Sequence, residues 1–265
     1  MSDLCTPTYY DHTTNTVHEH PPTHGEYWVF VPGTPSTCTQ LGLFHHKELF
    51  PYKASSKIDL VLSGPNHGRN TTAAFALSSG TLGGALEAAI SGIRAIAVSF
   101  AFFTKQEPDD LVREASAHSM RIVEKLCSSW AVPTQFGGRR LQDGRQDAKA
   151  LETADVYTVN VPLIEGVSKK PIKWAWSLDN KWPDGSLYSV VRKDSNAAPG
   201  TETEDKPPPS FKWSPAFDSI WKAVEESPPG NDGKTIREGC TSITPLKANY
   251  EDLYGRASFS GDFKL

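Results

Sequence analysis

Two short stretches carry residue types able to handle a phosphate ester. Gly64-Pro65-Asn66-His67-Gly68-Arg69-Asn70 holds two glycines, a proline and two asparagines, which excludes regular structure and permits tight backbone turns. Asn66 offers a hard amide oxygen of the kind magnesium or manganese accepts. Ser78-Ser79-Gly80-Thr81 opens an apolar pattern at helical spacing, so the backbone N–H groups around Gly80 and the hydroxyls of Ser79 and Thr81 suit an anion. Each stretch also has a plainer use. Hydroxyl residues at that point cap helices, and asparagine in such a loop is a left-handed turn residue. Spacing alone leaves capping and phosphate contact both open.

Positioning these stretches requires a sheet and a helix. Ile58, Leu60, Val61 and Leu62 form a short apolar run suited to a strand buried on both faces. A loop just past such a strand is where open α/β sheets bind ligands. Leu82, Leu86, Ala89, Ile90 and Ile93 recur at helical spacing, and Gly92 and Arg94 end the pattern. Gly83, Gly84, Ala85 and Ala88 are small, so this helix can lie close on a sheet, at about 1 kcal/mol for each glycine relative to alanine. Residues 95–100 are a second apolar run, giving a right-handed parallel crossover that brings the helix N-terminus and the Asn66 loop to one sheet edge. Residues 157–161 are expected as a neighbouring strand.

Taken together, Leu-Val-Leu-Ser-Gly-Pro-Asn-His-Gly-Arg-Asn from Leu60, Ser-Ser-Gly-Thr-Leu-Gly-Gly-Ala-Leu-Glu from Ser78 and Ala-Ile-Ala-Val-Ser-Phe from Ala95 closely resemble the SurE family of metal-dependent 5′/3′-nucleotidases and phosphatases, especially its fungal branch. Further blocks agree in family order: Gly33-Thr34-Pro35-Ser36-Thr37-Cys38, Tyr157-Thr158-Val159-Asn160-Val161-Pro162, and Glu238 through Leu246. The resemblance implies an α/β fold, a SurE-like (Rossmann-like) three-layer sandwich with a mainly parallel sheet and a C-terminal β-hairpin extension. It implies hydrolysis of nucleoside monophosphates or related phosphate monoesters with magnesium or manganese. Asn66 would then be a metal ligand, and Ser79, Gly80, Thr81, Gly68 and Asn70 would contact phosphate. A homo-oligomer built by swapped C-terminal elements is also implied.

The chain departs from the family pattern in one respect. Family members begin with a buried strand ending in Asn-Asp-Asp-Gly, whose carboxylates hold the metal, and a serine in a following loop adds a ligand. Here the Gly-Thr-Pro block arrives by residue 33 with no such segment before it, and Pro32 stands where the family commonly has Asp. Of the four ligands only Asn66 has a counterpart. The expectation is therefore a fold lacking its N-terminal strands, an exposed sheet edge where they would lie, and impaired hydrolysis. The alternatives are a catalytically silent module that binds phosphate or oligomerises, and a truncated gene model of an active enzyme.

Composition narrows the classes further. The formal net charge of −4 over 265 residues, with no long basic run, gives no electrostatic reason for nucleic-acid or membrane binding. No run approaches the roughly 18 apolar residues of a membrane span, and no basic-then-apolar leader opens the chain. An intracellular, cytoplasmic location is expected. Cys5, Cys38, Cys127 and Cys240 lack C-x-x-C spacing, so reduced and mostly buried thiols are expected.

In chain order, residues 1–27 read as a flexible lead-in in which His18, Glu19, His20 and His24 invite a metal reading but lack a framework. Residues 28–194 read as the SurE-like domain, opening with a strand into the Gly33 block and a helix through Cys38 and Leu41. Asp109 and Asp110, an adjacent acidic pair, read as charge favouring a helix N-terminus, because no buried strand precedes them. Residues 135–149 read as an insertion loop, and residues 173–178 with 187–192 as a hairpin. Trp174, Trp176 and Trp182 read as core or subunit contacts before base-stacking groups. Residues 195–210 read as a proline-rich linker, and residues 211–265 as a C-terminal extension with a helical piece over 211–225 and a final strand from Cys240 to Leu246.

Overall fold

The computed structural model describes residues 4–52, 57–103, 108–130, 154–182, 187–191, 209–215 and 217–249. Its centre is a five-stranded sheet built from β4 (Leu60–His67), β5 (Arg94–Ala101), β6 (Val156–Pro162), β7 (Ile172–Trp174) and β10 (Thr241–Leu246), in the order β4-β5-β6-β10-β7. β4, β5 and β6 are parallel, as the crossover pattern predicts; β10 runs antiparallel to β6 and parallel to β7. Among the described residues β4 is an edge strand, and Leu62 on it is 39% exposed. An open groove of about 720 Å³ runs beside it, walled by Cys38, Leu43, His46, Phe50 and Leu60.

The two faces of the sheet differ in chemistry. One is apolar along its length: Ile96, Val98, Phe100, Tyr157, Val159, Val161 and Ile243 pack against Ala115, Ile122, Val123 and Leu126 of α5 (Asp109–Ser129). Each large aliphatic side chain buried there contributes about 1.5–3 kcal/mol. On the other face Ala95, Ala97 and Val156 receive Leu82, Ala85 and Ala88 of α4 (Gly80–Ile90). Small residues meet small residues, so the helix lies close. A Cβ on Gly84 would stand 3.0 Å from Ser63 Oγ of β4. Helix α1 (Pro35–Phe44) packs on α4 in turn, with Thr39 Oγ1 donating to Gly84 O at 2.9 Å. Asp109 and Asp110 sit in the first turn of α5, as expected of charges that favour a helix N-terminus.

Several elements differ from the expectation. Residues within 1–27 are not a lead-in: β1 (Thr8–Asp11) pairs antiparallel with β2 (Thr16–His18) and with β3 (Trp28–Phe30). Tyr9 and Tyr27 are buried edge to face with ring centroids 5.6 Å apart, which anchors strands too short and polar to show an alternation. Among the described residues, 187–191 do not pair with 173–178. β7 joins the main sheet, and β8 (Tyr188–Val191) pairs antiparallel with β9 (Ser210–Trp213), so the C-terminal ribbon takes its second strand from the region read as linker and helix. The helix there, α6, covers Asp218–Glu226, and α7 (Asp232–Arg237) precedes β10. All four cysteines are free, but only Cys240 is buried and Cys5 and Cys38 are exposed. Trp174 and Trp176 are about half exposed, so neither is a core residue. The insertion loop at 135–149 lies outside the described residues, as does almost all of the linker at 195–210. No helix among the described residues is long and apolar enough to cross a membrane.

Candidate functional site

The apolar character of the α4 face ends where α4 ends. Beyond its N-terminus the sheet carries one polar row: Asn66 of β4 is paired with Ser99 of β5, Ser99 with Asn160 of β6, and Asn160 with Ser242 of β10. A second row one step back contains Thr158 and Thr244. Asn66 reaches this row through a bulge, because the register with β5 shifts between Ser63 and Asn66. Gly64 occupies the bulge at φ +97, and a Cβ there would fall 2.2 Å from Val98 O. Only glycine fits that position.

Asn70 closes the cluster from the loop that follows. Its Nδ2 donates to Asn66 Oδ1 at 3.1 Å and to Ser99 Oγ at 2.5 Å, while its backbone N–H donates to Asn160 Oδ1 at 2.8 Å. Ser99 Oγ in turn donates to Asn66 Oδ1 at 2.8 Å. Two residues further on, Thr72 is fully buried with φ +65, a left-handed conformation that a β-branched residue rarely adopts. The side chain that holds it is Asp232 at the start of α7. Asp232 Oδ2 accepts from Thr72 N at 2.9 Å, and Oδ1 accepts from Gly233 N at 2.7 Å and Leu178 N at 3.3 Å. Burial pushes the Asp232 carboxyl above its ordinary range, against the pull of these N–H groups.

The other half of the site is the start of α4. Ser79 is its N-cap, with Oγ accepting from Leu82 N at 3.1 Å. The capping use is thus realised. The N–H groups of Gly80 and Thr81 lie in the first turn, where a helix offers them no internal partner. A Cβ on Gly64 would lie 3.0 Å from Thr81 Cγ2, so the helix start abuts the bulge two residues before Asn66. The sequence-predicted residues Asn66, Gly68, Asn70, Ser79, Gly80 and Thr81 therefore gather at the C-terminal ends of the parallel strands.

A divalent ion does not fit the described residues on their own. Asn66 Oδ1 already accepts two hydrogen bonds, and no three His, Cys, Asp or Glu side chains among the described residues converge to hold a metal. His18 contacts Thr16 Oγ1 at 3.0 Å and belongs to no such group.

Sequence reasoning missed Asp232, Ser99 and Asn160 as members of this site. A usable signal existed for one of them: Ser99 interrupts the otherwise apolar run from Ala95 to Ala101, whereas Asn160 shares its strand with Thr158. It also missed an aromatic cavity of about 510 Å³ on the outer side of the loop, lined by His67, Arg69, Phe103, Trp213, Phe217 and Trp221 among others.

A mixed, mainly parallel sheet with helices on both faces and a polar site at the strand ends defines a Rossmann-like α/β protein. The chain belongs to the SurE family: the model described as Survival protein SurE matches residues 5–184, more than half of it. Among similar proteins, 5′-nucleotidase SurE of Ruegeria pomeroyi is 28% identical over 229 residues, which cover 85% of this chain and 72% of that protein. 5′-Nucleotidase SurE of Roseobacter denitrificans is 30% identical, covering 82% and 68%. A Saccharomyces cerevisiae protein named probable tubulin–tyrosine ligase PBY1 is 31% identical over 90% of this chain, which spans only 29% of that protein. The crystal structure of SurE from Aquifex aeolicus shares the fold, with a TM-score of 0.54 and 21% identity, covering 97% of this chain and 79% of that one.

Proposed function

We propose that this chain is a SurE-type phosphohydrolase module for nucleoside monophosphates or related monoesters, in which the described residues form the phosphate cradle. The observation that carries the reading is the gathering of Asn66, Asn70 and the α4 N-terminus at the ends of the parallel strands. Free N–H groups at a helix start favour a dianion, and an amide cluster locked by four hydrogen bonds holds the loop at fixed distance from it. Gly68 and Asn70 on one side, with Ser79, Gly80 and Thr81 on the other, would bind the phosphoryl oxygens, and Ser79 can donate its hydroxyl proton while its oxygen caps the helix. The relatives named 5′-nucleotidase support the substrate class.

Hydrolysis of a monoester also needs charge neutralisation and an activated water, which a divalent ion supplies in this chemistry. The described residues offer it one neutral amide oxygen. Magnesium- or manganese-dependent hydrolysis of nucleotides or p-nitrophenyl phosphate by these 265 residues is therefore expected to be weak or absent. Joining an N-terminal strand that ends in Asn-Asp-Asp-Gly is expected to bring turnover, and Asn66→Ala in that longer protein to remove it. Robust metal-dependent turnover by the 265 residues alone overturns the reading. The engagement of Asn66 Oδ1 by Asn70 and Ser99 favours a second reading, a phosphate-binding or oligomerising module without catalysis, which predicts no turnover in the longer protein either.

A further inference from the structure

A groove of about 510 Å³ lies on the α5 face of the sheet, between that helix and β7. Its floor is apolar: Leu126 of α5, Ile243 of β10 and, from β7, Ile172 at 48% exposure and Trp174 at 53%. The Trp174 ring lies against buried Tyr157, with centroids 6.0 Å apart, while about half of the residue stays open to solvent. Arg121 and Lys125 of α5 form the rim. Both are exposed, and among the described residues no ion pair takes either. No Asp or Glu lines the groove among the described residues: Glu124 stands beside Lys125 in the chain but outside its walls, and Glu114 accepts from Ser168 and Gly166. His118 adds no charge at neutral pH, because burial holds its imidazole below the ordinary range, and its Nε2 meets Thr241 Oγ1 at 3.1 Å. The rim is therefore positive over an apolar floor.

β7 adds backbone groups to this charge. Among the described residues it is an edge strand. Thr241 N donates to Pro171 O and Ala175 N to Ile243 O, so the alternation of a parallel ladder turns the N–H and C=O of Ile172 and Trp174 away from β10, toward the open edge. Such an edge is a template for another strand. Arg121 and Lys125 stand four residues apart, about 6 Å along α5, which is close to the rise of two strand residues. A strand laid on β7 sets every second side chain toward α5, at the spacing of the two cations. We propose that this groove docks an extended acidic peptide of a partner protein by strand addition to β7. Carboxylates two residues apart reach Arg121 and Lys125, and an apolar side chain on the same face covers Trp174. Main-chain hydrogen bonds give such a complex its affinity, and the alternate side chains its choice of partner. A lipid surface would meet the cations but not the edge N–H and C=O groups, and an uncharged strand would use the edge but leave the cations unmatched.

Fluorescence polarisation of a labelled peptide, Thr-Glu-Thr-Glu-Thr-Leu-Thr, titrated with the full 265-residue chain at low salt tests it. Saturable binding is expected, with amide exchange slowed at Ile172 and Trp174 and unchanged along β4, the opposite edge. Replacing both Glu residues of the peptide with Gln is expected to weaken binding about fivefold, the scale of two exposed ion pairs. Arg121→Gln and Lys125→Gln together are expected to do the same, and since both side chains are exposed the variant is expected to keep its circular dichroism. Two further peptides carry N-methyl groups on alternate residues, one in each register, and the one whose methyls face β7 is expected not to bind. Binding that survives both methylated peptides, equal affinity for the Gln peptide, or protection along β4 instead of β7 overturns the proposal. So does capture on phosphatidylserine vesicles with no peptide binding, which assigns the rim to a membrane. A fall in sedimenting mass in the double variant, again with no peptide binding, assigns the groove to a second copy and overturns it too. Absence of binding in every arm does the same.

Discussion

Replacing Asp232 with alanine tests whether one buried carboxylate holds the loop of the site in place. Three backbone N–H groups, of Thr72, Gly233 and Leu178, lose their acceptor. A buried donor left unsatisfied costs about 1–3 kcal/mol. The Leu178 contact is long at 3.3 Å, and removing a carboxylate that burial already disfavours returns part of the loss. Thr72 adds to it, because a left-handed β-branched residue carries about 1–2 kcal/mol of backbone cost that is sustained only while something grips its N–H. The net loss is expected to be about 3–5 kcal/mol, in line with breaking a buried charged contact. Urea midpoints at pH 7 measure it, and hydrogen exchange at Asn70 and Thr72 is expected to accelerate more than exchange in β6. The pH dependence has a definite sign. The folded pKa is raised, so the carboxyl contributes stability that is full below the ordinary aspartate value of about 3.9 and is lost as pH rises through the folded value. Wild type is therefore expected to gain on the alanine variant as pH falls from 7 toward 4. A loss under 1 kcal/mol with unchanged exchange at Thr72 refutes the reasoning.

Gly64→Ala places a methyl 2.2 Å from Val98 O at φ +97, and we expect at least about 2 kcal/mol of destabilisation or failure to accumulate folded protein, read by thermal melts. Ser79→Ala removes the cap of α4 and is expected to lower stability by about 1 kcal/mol, with phosphate affinity falling in calorimetric titration. Glu114 accepts from Ser168 Oγ and from the N–H groups of Ser168 and Gly166, contacts that hold its carboxyl below the usual range, the hydroxyl bond most of all. Its stabilising contribution is present above the ordinary value of about 4.3 and is lost as pH falls through the lowered folded value, so amide exchange at Gly166 and Ser168 should rise in acid; exchange that stays flat down to full protonation removes the claim.

How legible this arrangement is depends on whether neighbours in the chain are neighbours in space. The crossover from β4 through α4 to β5 is local and strongly patterned, and Ser79 and Gly80 fall where that pattern places them; Asn66, read as part of an irregular loop, lies instead on β4, because the bulge at Gly64 lets the strand resume pairing as far as His67. Asp232 stands 160 residues from the Thr72 whose N–H it accepts, and nothing in the run Asn231-Asp232-Gly233 announces more than a helix start. In that role Asn231 does cap α7, accepting from Lys234 N at 2.8 Å. Ser99 is a single polar residue in an apolar strand and Asn160 shares its strand with Thr158, and they become a row only once the register of β5 and β6 is known. The aromatic cavity draws on the loop at 67–69, the end of β5, β9 and α6, elements whose shared surface no periodicity encodes.

The bulge at Gly64 can be regarded as a count. A strand alternates faces with every residue, so side chains three apart, such as Ser63 and Asn66, ought to point in opposite directions. Here β5 advances from Ala97 to Ser99, two residues, while β4 advances three, and Ser63 and Asn66 end on the same face. The extra residue is absorbed by the bulge and not by the face. Deleting one residue between them would leave a regular two-residue step that keeps the Asn66 amide on the Ser63 face, opposite Ser99, while removing the bend of the backbone on which Asn70 closes. A one-residue deletion in this segment should thus leave the β4–β5 ladder intact and change only the excursion, and amide exchange along β5 beside exchange at Asn70 would separate the two.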